Sequence, residues 1–300
     1  MTISSVLLAL SLQTAPVAEE PTQQTKPKEQ IVVEAPPTKS QRRKVLKEMV
    51  TAIARKPRRG RTVPTFFEAI CPKVVGVPEG AANVIAQRIA DNAEQLGANR
   101  RDPSDPCTPN ILVKFIPADK GKPSKWLKYD SDLLSHLLSY QRIWVLEEKD
   151  PVRAWNTLQV RSADGVALPD TARGKNFQVI NAIWSGTRFQ FPVRSEIRSA
   201  VVLIELASAN GKTLEQLADY ATMRTFASTS EIESETIPAA STILTLFQDE
   251  DAPPELTTFD RAFIKGLYSD PRNYAPNRYY STIASTAVNM EIDEAKTLAQ

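Results

Sequence analysis

The sequence predicts an α+β fold, in which helices flank a β-sheet. A disordered linker and a basic helix are predicted to precede this domain. Three observations support this fold. The chain has 300 residues, 42% of them apolar, which is enough for the core of one domain or of two small ones. Runs of apolar and β-branched residues at 110–116 and 194–204 predict strands. Apolar residues with helical spacing, beginning at Thr213 and at Thr257, predict two helices after the second strand.

Residues 1–18 have the character of a signal peptide. An apolar segment of about ten residues begins at Ile3, which suits the core of a signal peptide and is too short to cross a membrane. No basic residue precedes this segment and no clear Ala-x-Ala site follows it, so a frayed apolar N-terminus is the alternative. No other stretch has about 18 consecutive apolar residues, so we expect no transmembrane span in the mature chain. A periplasmic or secreted protein is therefore predicted.

Two segments separate the predicted signal peptide from the main domain. Residues 19–38 are rich in Pro, Gln, Lys and Glu, which predicts a disordered linker. Residues 39–61 are predicted to form a basic helical arm, because they carry ten basic residues and a single acidic residue, Glu48. The candidate anion-binding residues of the arm are Arg42, Arg43, Lys44, Arg55, Arg58, Arg59 and Arg61. They suit lipid headgroups or another polyanion, and a simply solvated helix is the alternative.

The predicted partner is an unknown envelope protein or an anionic surface. Nucleic acid is disfavoured, because no aromatic residue lies among the basic residues of 39–61 to stack on a base. The formal net charge of +2 is also too small to steer the whole molecule towards nucleic acid.

The main domain is predicted at residues 62–290, followed by a C-terminal tail at 291–300. The domain opens as strand, helix and strand, and the helix begins at Pro78 and ends at Gly97. A leucine-rich helical region at 124–148 comes next. Two further strands are then predicted, at 155–161 and 177–184.

The chain has two cysteines, Cys71 and Cys107, and both lie in the first part of this domain. We predict a disulfide between them, which would stabilise the fold by roughly 4 kcal/mol through the entropy of the unfolded chain. Two buried free thiols are the alternative. A metal site is disfavoured, because neither cysteine belongs to a Cys-x-x-Cys pair or has a histidine nearby.

Both helices that follow the strand at 194–204 carry clear start signals. Thr213 and Gln216 form a capping-box pattern, in which each side chain satisfies a free amide of the helix terminus. Thr257 caps the second helix, and Asp260 follows in its first turn, where the helix dipole favours an anion. These boundaries are predicted by local chemistry alone.

The second helix carries a family resemblance. It resembles the closing helix of the metzincin branch of zincin-like metallopeptidases, which often reads Leu-Ser/Thr-x-x-Asp-x-x-x-Ile/Leu-x-x-Leu-Tyr. The chain is also similar to uncharacterised alphaproteobacterial envelope proteins, among them the group labelled DUF2927. The resemblance implies a zincin-like mixed sheet for residues 62–290. The matching residues are Leu256-Thr257-Thr258-Phe259-Asp260-Arg261-Ala262-Phe263-Ile264-Lys265-Gly266-Leu267-Tyr268.

The chain departs from that family at the metal-binding helix. Where the family has His-Glu-x-x-His, this sequence reads Glu215-Gln216-Leu217-Ala218-Asp219. His136 is the only histidine of the chain, which excludes every metal site built on two histidines and disfavours a histidine-based triad. Walker, Gly-x-Ser-x-Gly and Gly-x-Gly-x-x-Gly motifs are also absent from the sequence. We therefore predict no catalytic residue, no metal ligand and no cofactor.

A non-catalytic role in binding or scaffolding at the cell envelope is the prediction that follows. The alternative is a divergent hydrolase with a site in the cleft where the metal helix of the family lies. The candidate residues of that cleft are Glu215, Asp219 and Tyr220. Convergence of the two carboxylates in a deep pocket would favour the enzyme, and an apolar or filled pocket would favour the binding protein.

Overall fold

The computed structural model describes residues 36–98, 107–129, 131–149, 151–166, 189–230, 239–269 and 273–300, together with positions 168, 187 and 232. The predicted signal peptide at 1–18, the linker as far as residue 35 and the strand predicted at 177–184 lie outside the described residues. Pro37–Gln300 is one compact unit.

The described residues of this unit form five strands and seven α-helices. The strands are β1 (Thr65–Phe66), β2 (Pro72–Val75), β3 (Ile111–Ile116), β4 (Val152–Ser162) and β5 (Val193–Glu205). The helices are α1 (Lys39–Ile53), α2 (Glu79–Gln95), α3 (Pro123–Tyr129), α4 (Ser139–Glu147), α5 (Leu214–Phe226), α6 (Thr258–Ser269) and α7 (Pro276–Leu298). The strands predicted at 110–116 and 155–161 correspond to β3 and β4.

The five strands form one mixed sheet centred on β5. Strands β2, β3 and β5 are parallel, which requires the crossover that α2 makes between β2 and β3. Strand β4 runs antiparallel along the opposite side of β5. Strand β1 pairs with Glu196 and Ile197, ahead of the stretch of β5 that pairs with β3. The predicted mixed sheet with flanking helices is confirmed, and both sides of β5 are paired.

The two faces of the sheet pack against different helices because neighbouring side chains of a strand point to opposite faces. Val113, Val202 and Ile204 belong to the main core, together with buried residues of α1, α2, α5, α6 and α7. Leu203 and Trp155 belong to a smaller cluster on the other face, together with residues of α3 and α4. The site described below lies on the face of the sheet that carries this smaller cluster.

The helical region predicted at 124–148 is divided into α3, a short 3₁₀ turn (Ser131–Leu134) and α4. Ser131 and Asp132 lie in the break, and short polar side chains of this kind compete with the backbone for hydrogen bonds and favour turns. Helix α4 then restarts at Ser139, where the side chain of Gln141 accepts a hydrogen bond from the Leu138 amide at 3.0 Å.

Helix α1 is part of the compact unit, although the sequence predicts a separate arm at 39–61. Leu46, Met49, Val50 and Ile53 form one buried stripe along it, at the helical spacing that places them on a single face. Helix α1 packs against α7. The predicted boundary between residues 61 and 62 therefore separates segments that share one core.

Helix α7 packs closely on α6 at Gly266. A side-chain carbon added at Gly266 would lie 2.7 Å from Cα of Ile283, so glycine is needed for the two helices to approach. Helix α7 continues to Leu298, through the boundary predicted between residues 290 and 291. Neither this helix nor any other in the described ranges is long and apolar enough to cross a membrane.

The predicted helix caps and the predicted disulfide are present. Oγ1 of Thr213 accepts a hydrogen bond from the Gln216 amide at 3.1 Å, and the Gln216 side chain accepts one from the Thr213 amide at 3.0 Å. Cys71 and Cys107 form a disulfide with their Cα atoms 6.1 Å apart. The bridge joins the start of β2 to the segment that leads into β3, so it holds the entry of two neighbouring strands.

Asp260 lies in the first turn of α6, as the helix pattern predicts. It is fully buried, and its carboxylate accepts hydrogen bonds from the Thr242 hydroxyl at 2.5 Å, the Ile243 amide at 2.8 Å and the Thr257 amide at 3.0 Å. Burial raises the pKa of Asp260 to about 6, although these hydrogen bonds favour the charged form and oppose the rise.

Asp260→Asn is expected to remove a pH dependence of stability between about pH 4 and pH 7. The folded pKa lies above the unfolded value of about 3.9, so Asp260 contributes stability below pH 4 that is lost as the pH rises through 6. The loss is about 2–3 kcal/mol. Urea unfolding of both proteins across this range measures it as the change in their difference in free energy. A difference that stays constant with pH would contradict the assignment.

Candidate functional site

Asp219, on α5, is a fully buried structural carboxylate. Nε and Nη2 of Arg88 donate to its two oxygens at 2.9 Å each, Nδ2 of Asn92 donates at 2.8 Å and the Leu256 amide donates at 2.9 Å. A carboxylate has about four lone-pair sites. All of them are therefore occupied, and Asp219 ties α5 to α2 and to the start of α6.

The other two residues of the predicted cleft point elsewhere. Glu215 is exposed in the first turn of α5, away from the buried carboxylate of Asp219. The Tyr220 hydroxyl accepts a hydrogen bond from Nη1 of Arg224 at 3.0 Å, and its ring packs edge to face against Phe247. The structure does not bring the two carboxylates together in a pocket. Among the described residues, no three His, Cys, Asp or Glu side chains are grouped to hold a metal ion.

A cleft of about 1520 Å³ lies on the face of the sheet next to α4. The segment 55–64, which follows α1, forms one wall, α4 forms the other, and β4 and β5 form the floor. Five basic side chains line it: Arg55, Lys56, Arg58, Arg61 and Arg198. Glu68 is the one acidic residue among its described lining residues. Arg55 is paired with Glu148, so the positive charge of the cleft comes from Lys56, Arg58, Arg61 and Arg198, although the whole chain is nearly neutral.

The structure divides the predicted anion-binding residues into three groups. Arg42 makes a two-point ion pair with Glu291 at 2.7 and 2.9 Å and also donates to the Ala239 carbonyl, so its charge is neutralised within the fold. Three residues are exposed and do not line the cleft: Arg43, Lys44 and Arg59. The remaining three line the cleft: Arg55, Arg58 and Arg61.

Arg58, Tyr140 and Trp144 form a stack along one side of the cleft. The guanidinium carbon of Arg58 lies 5.1 Å from the ring centre of Tyr140, within the range of a cation–π contact. The rings of Tyr140 and Trp144 meet edge to face with their centres 5.0 Å apart. Their spacing of four residues places both rings on the same face of α4. Trp144 is 40% exposed, so its ring is available to a ligand.

Arg61 is half-buried next to Arg58. Burial lowers the pKa of the Arg61 guanidinium, the positive charge of Arg58 lowers it further, and Tyr140 opposes both effects. Burial also raises the pKa of the Tyr140 hydroxyl, so this group stays a neutral donor and acceptor. No acidic residue among those described forms an ion pair with Arg58 or Arg61. The positive charge of Arg58 therefore acts on Arg61 without an acidic partner among the described residues to offset it.

Glu148, at the end of α4, holds the cleft in shape. Its Oε1 atom accepts hydrogen bonds from Nη2 of Arg55 at 2.8 Å and from Nη2 of the fully buried Arg224. Its Oε2 atom accepts one from the Ala154 amide at 2.9 Å. One carboxylate thus joins the basic segment, α4, β4 and α5.

Sequence reasoning missed the aromatic and the floor residues of this site. The basic segment contains no aromatic residue, as noted above, but α4 supplies Tyr140 and Trp144 from about eighty positions along the chain. Arg198 comes from β5, and His136 is exposed at the rim. The only local signal was the spacing of the two aromatic residues, and that spacing does not say what the rings face.

Comparisons of the chain with known protein families, with characterised proteins and with solved structures found no match. The function is therefore inferred from the chemistry of the cleft.

Proposed function

We propose that the protein is a non-catalytic binding protein of the cell envelope that holds an anionic ligand in the cleft between segment 55–64 and α4. The observation that carries this proposal is the charge of the cleft: besides the Arg55–Glu148 pair, its described lining residues include four basic side chains and one acidic side chain. Arginine is suited to the task, because its guanidinium fork matches carboxylate and phosphate oxygens and is always charged.

The position of the charges supports binding over simple solvation. Exposed basic residues such as Arg43 and Lys44 are surrounded by water and gain little from an anion. Arg61, in contrast, is half-buried and lies next to Arg58, so an anion there removes a repulsion in a partly desolvated site. This arrangement makes the cleft a stronger anion site than the rest of the basic segment.

The compartment is part of the proposal. A disulfide such as Cys71–Cys107 is typical of proteins in oxidising compartments, and the apolar segment that begins at Ile3 suits export. Both support a periplasmic or secreted protein. We also retain the zincin-like origin of the domain as a proposal, which is supported by the resemblance at 256–268. The saturated carboxylate of Asp219 suits a domain of that origin with a non-catalytic role.

Charge reversal inside the cleft is expected to abolish anion binding. Inorganic polyphosphate is the probe, because it carries charge and no ring or hydroxyl group. Calorimetric titration in low salt should show that Arg58→Glu with Arg61→Glu lowers the affinity by more than about tenfold, since two attractive contacts become repulsive.

The matched control is Arg43→Glu with Lys44→Glu, which changes the net charge by the same amount on exposed residues outside the cleft. We expect it to lower the affinity by less than about threefold, through long-range electrostatics alone. Equal losses in the two variants would show that only the total charge matters. Full binding by the cleft variant would also contradict the proposal, and circular dichroism confirms that both variants are folded.

A further inference from the structure

We propose that the ligand is a segment of an acidic polysaccharide, whose carboxylates bind the arginines of the cleft while its sugar rings pack on Trp144. This inference rests on the proposed function and names the class of ligand that the same cleft takes. It is drawn from the size of the cleft, the chemistry of its floor, the pairing of its strands and the arrangement of its aromatic rings.

The size of the cleft indicates a polymer. Pockets for small molecules have volumes of about 300–1,000 Å³, and this cleft is larger, at about 1520 Å³. Its lining residues come from segment 55–64, from α4 and from strands β4 and β5, so the space extends over several elements. Several consecutive units of a polymer fill such a space better than one small anion.

The floor of the cleft suits hydroxyl groups. Thr157 and Gln159 of β4 and Ser199 of β5 line it and are half-buried. Hydroxyl and amide side chains both donate and accept hydrogen bonds, and so do the hydroxyl groups of a sugar. Polyphosphate and lipid phosphate groups offer hydrogen-bond acceptors only. They would bind the donors of this floor and leave the acceptor oxygens of its side chains without a hydrogen bond from the ligand.

The pairing of β5 argues against an extended peptide. Peptides that bind to sheets usually add a strand to a free edge, where their backbone gains hydrogen bonds. Strand β5 pairs with β4 on one side and with β1 and β3 on the other. The outer edge of β4, which pairs with β5 alone among the described strands, is a separate place for a peptide. On the sheet face that forms the floor of the cleft, a peptide backbone would meet side chains.

The aromatic arrangement favours a sugar over single-stranded nucleic acid. Stacking of successive bases requires several open ring faces. In this cleft Arg58 covers a face of Tyr140, and Tyr140 stands edge to face with Trp144. The exposed ring of Trp144 is one apolar platform, and it contacts Tyr140, the ring on which Arg58 stacks. An acidic sugar unit matches that pair of features, with the apolar face of its ring on the indole and its carboxylate on the arginines.

The test compares oligogalacturonate with three other probes: its fully methyl-esterified form, oligothymidylate and polyphosphate. We expect the native protein to bind oligogalacturonate more tightly than oligothymidylate and at least about tenfold more tightly than the neutral ester, which keeps the sugar rings and loses the charges. Trp144→Ala should weaken oligogalacturonate binding by about fivefold to tenfold. The same variant should change polyphosphate binding by less than about twofold.

The matched control is Ile143→Ala, which removes an exposed apolar side chain from the same helix, outside the cleft, and should leave both affinities unchanged. Equal binding of oligogalacturonate by Trp144→Ala and the native protein would overturn the inference and leave the proposed anion-binding function standing. Tighter binding of oligothymidylate than of oligogalacturonate would also overturn the inference, and would identify nucleic acid as the preferred ligand. If neither polyphosphate nor oligogalacturonate binds, the proposed function itself fails.

Discussion

Glu148→Ala is expected to lower the free energy of unfolding by about 3–5 kcal/mol, because it removes a counter-ion of a buried charge. Arg224 is 1% exposed, and the Glu148 carboxylate pairs with it and with Arg55. The substitution also removes the acceptor of the Ala154 amide. Solvent cannot replace these contacts, since the Glu148 side chain is itself 5% exposed.

Urea denaturation of the native and variant proteins measures this loss. Glu147→Ala is the matched control, because Glu147 is the neighbouring glutamate and is exposed. We expect its effect to stay within about 0.5 kcal/mol. Glu148→Gln keeps one acceptor oxygen, so its loss of unfolding free energy should lie between those of Glu148→Ala and Glu147→Ala. A loss of less than about 1 kcal/mol for Glu148→Ala would show that Arg224 is stabilised by its other contacts and not by this carboxylate.

The same substitution has a consequence for the cleft. Glu148 fixes the end of α4, the helix that carries Tyr140 and Trp144. When this anchor is removed, α4 loses its tie to β4 and to the basic segment, so the wall of the cleft is less well positioned. The stability of the fold and the geometry of the proposed binding site thus depend on one carboxylate.

Asp219→Ala is expected to lower the free energy of unfolding by about 4 kcal/mol. The Asn92 amide and the Leu256 backbone amide lose their acceptor in a buried site, and each unsatisfied buried donor costs about 1–3 kcal/mol. Arg88 is less affected, because its side chain is 31% exposed and also contacts Glu255. The hydrogen bonds from Arg88 to Asp219 are the main reason that the pKa of this guanidinium is raised.

Thermal and urea unfolding of Asp219→Ala should be compared with those of Glu255→Ala. Both carboxylates contact Arg88, but the Glu255 side chain is 53% exposed, and exposed ion pairs contribute about 0–1 kcal/mol. A large effect for Asp219 and a small one for Glu255 is the expected pattern. Similar losses for the two variants would show that the ion pair with Arg88, and not the buried hydrogen bonds, accounts for the role of Asp219.

Several features of the fold were predictable because short stretches of chain specify them. Strand β3 follows from its run of apolar residues, and α5 and α6 follow from the caps at Thr213 and Thr257. The caps of the two helices join residues three positions apart, and the apolar pattern of the strand lies within seven consecutive residues. The pairing of Cys71 with Cys107 was predictable for a different reason, since the chain contains no other cysteine.

The predicted cleft at Glu215 and Asp219 shows where such reasoning ends. Two carboxylates four positions apart on a helix share a face. The spacing predicts nothing about the burial or the partners of either carboxylate. Arg88 and Asn92 come from α2, more than a hundred positions away, and occupy the Asp219 oxygens. Helical spacing contains no information about partners from another helix. It therefore could not distinguish a buried structural carboxylate from a residue of a functional site.

The sequence alone accounts for the mixed sheet, the capped helices and the excess of positive charge at 39–61. Packing of the chain selects which of those charges matter: it neutralises Arg42 with Glu291, leaves Arg43 in solvent and sets Arg58 beside Tyr140. The physical reason is one of range. Helix caps and strand patterns arise from neighbours along the chain, whereas the charge and hydration of a side chain depend on whatever group is close in space.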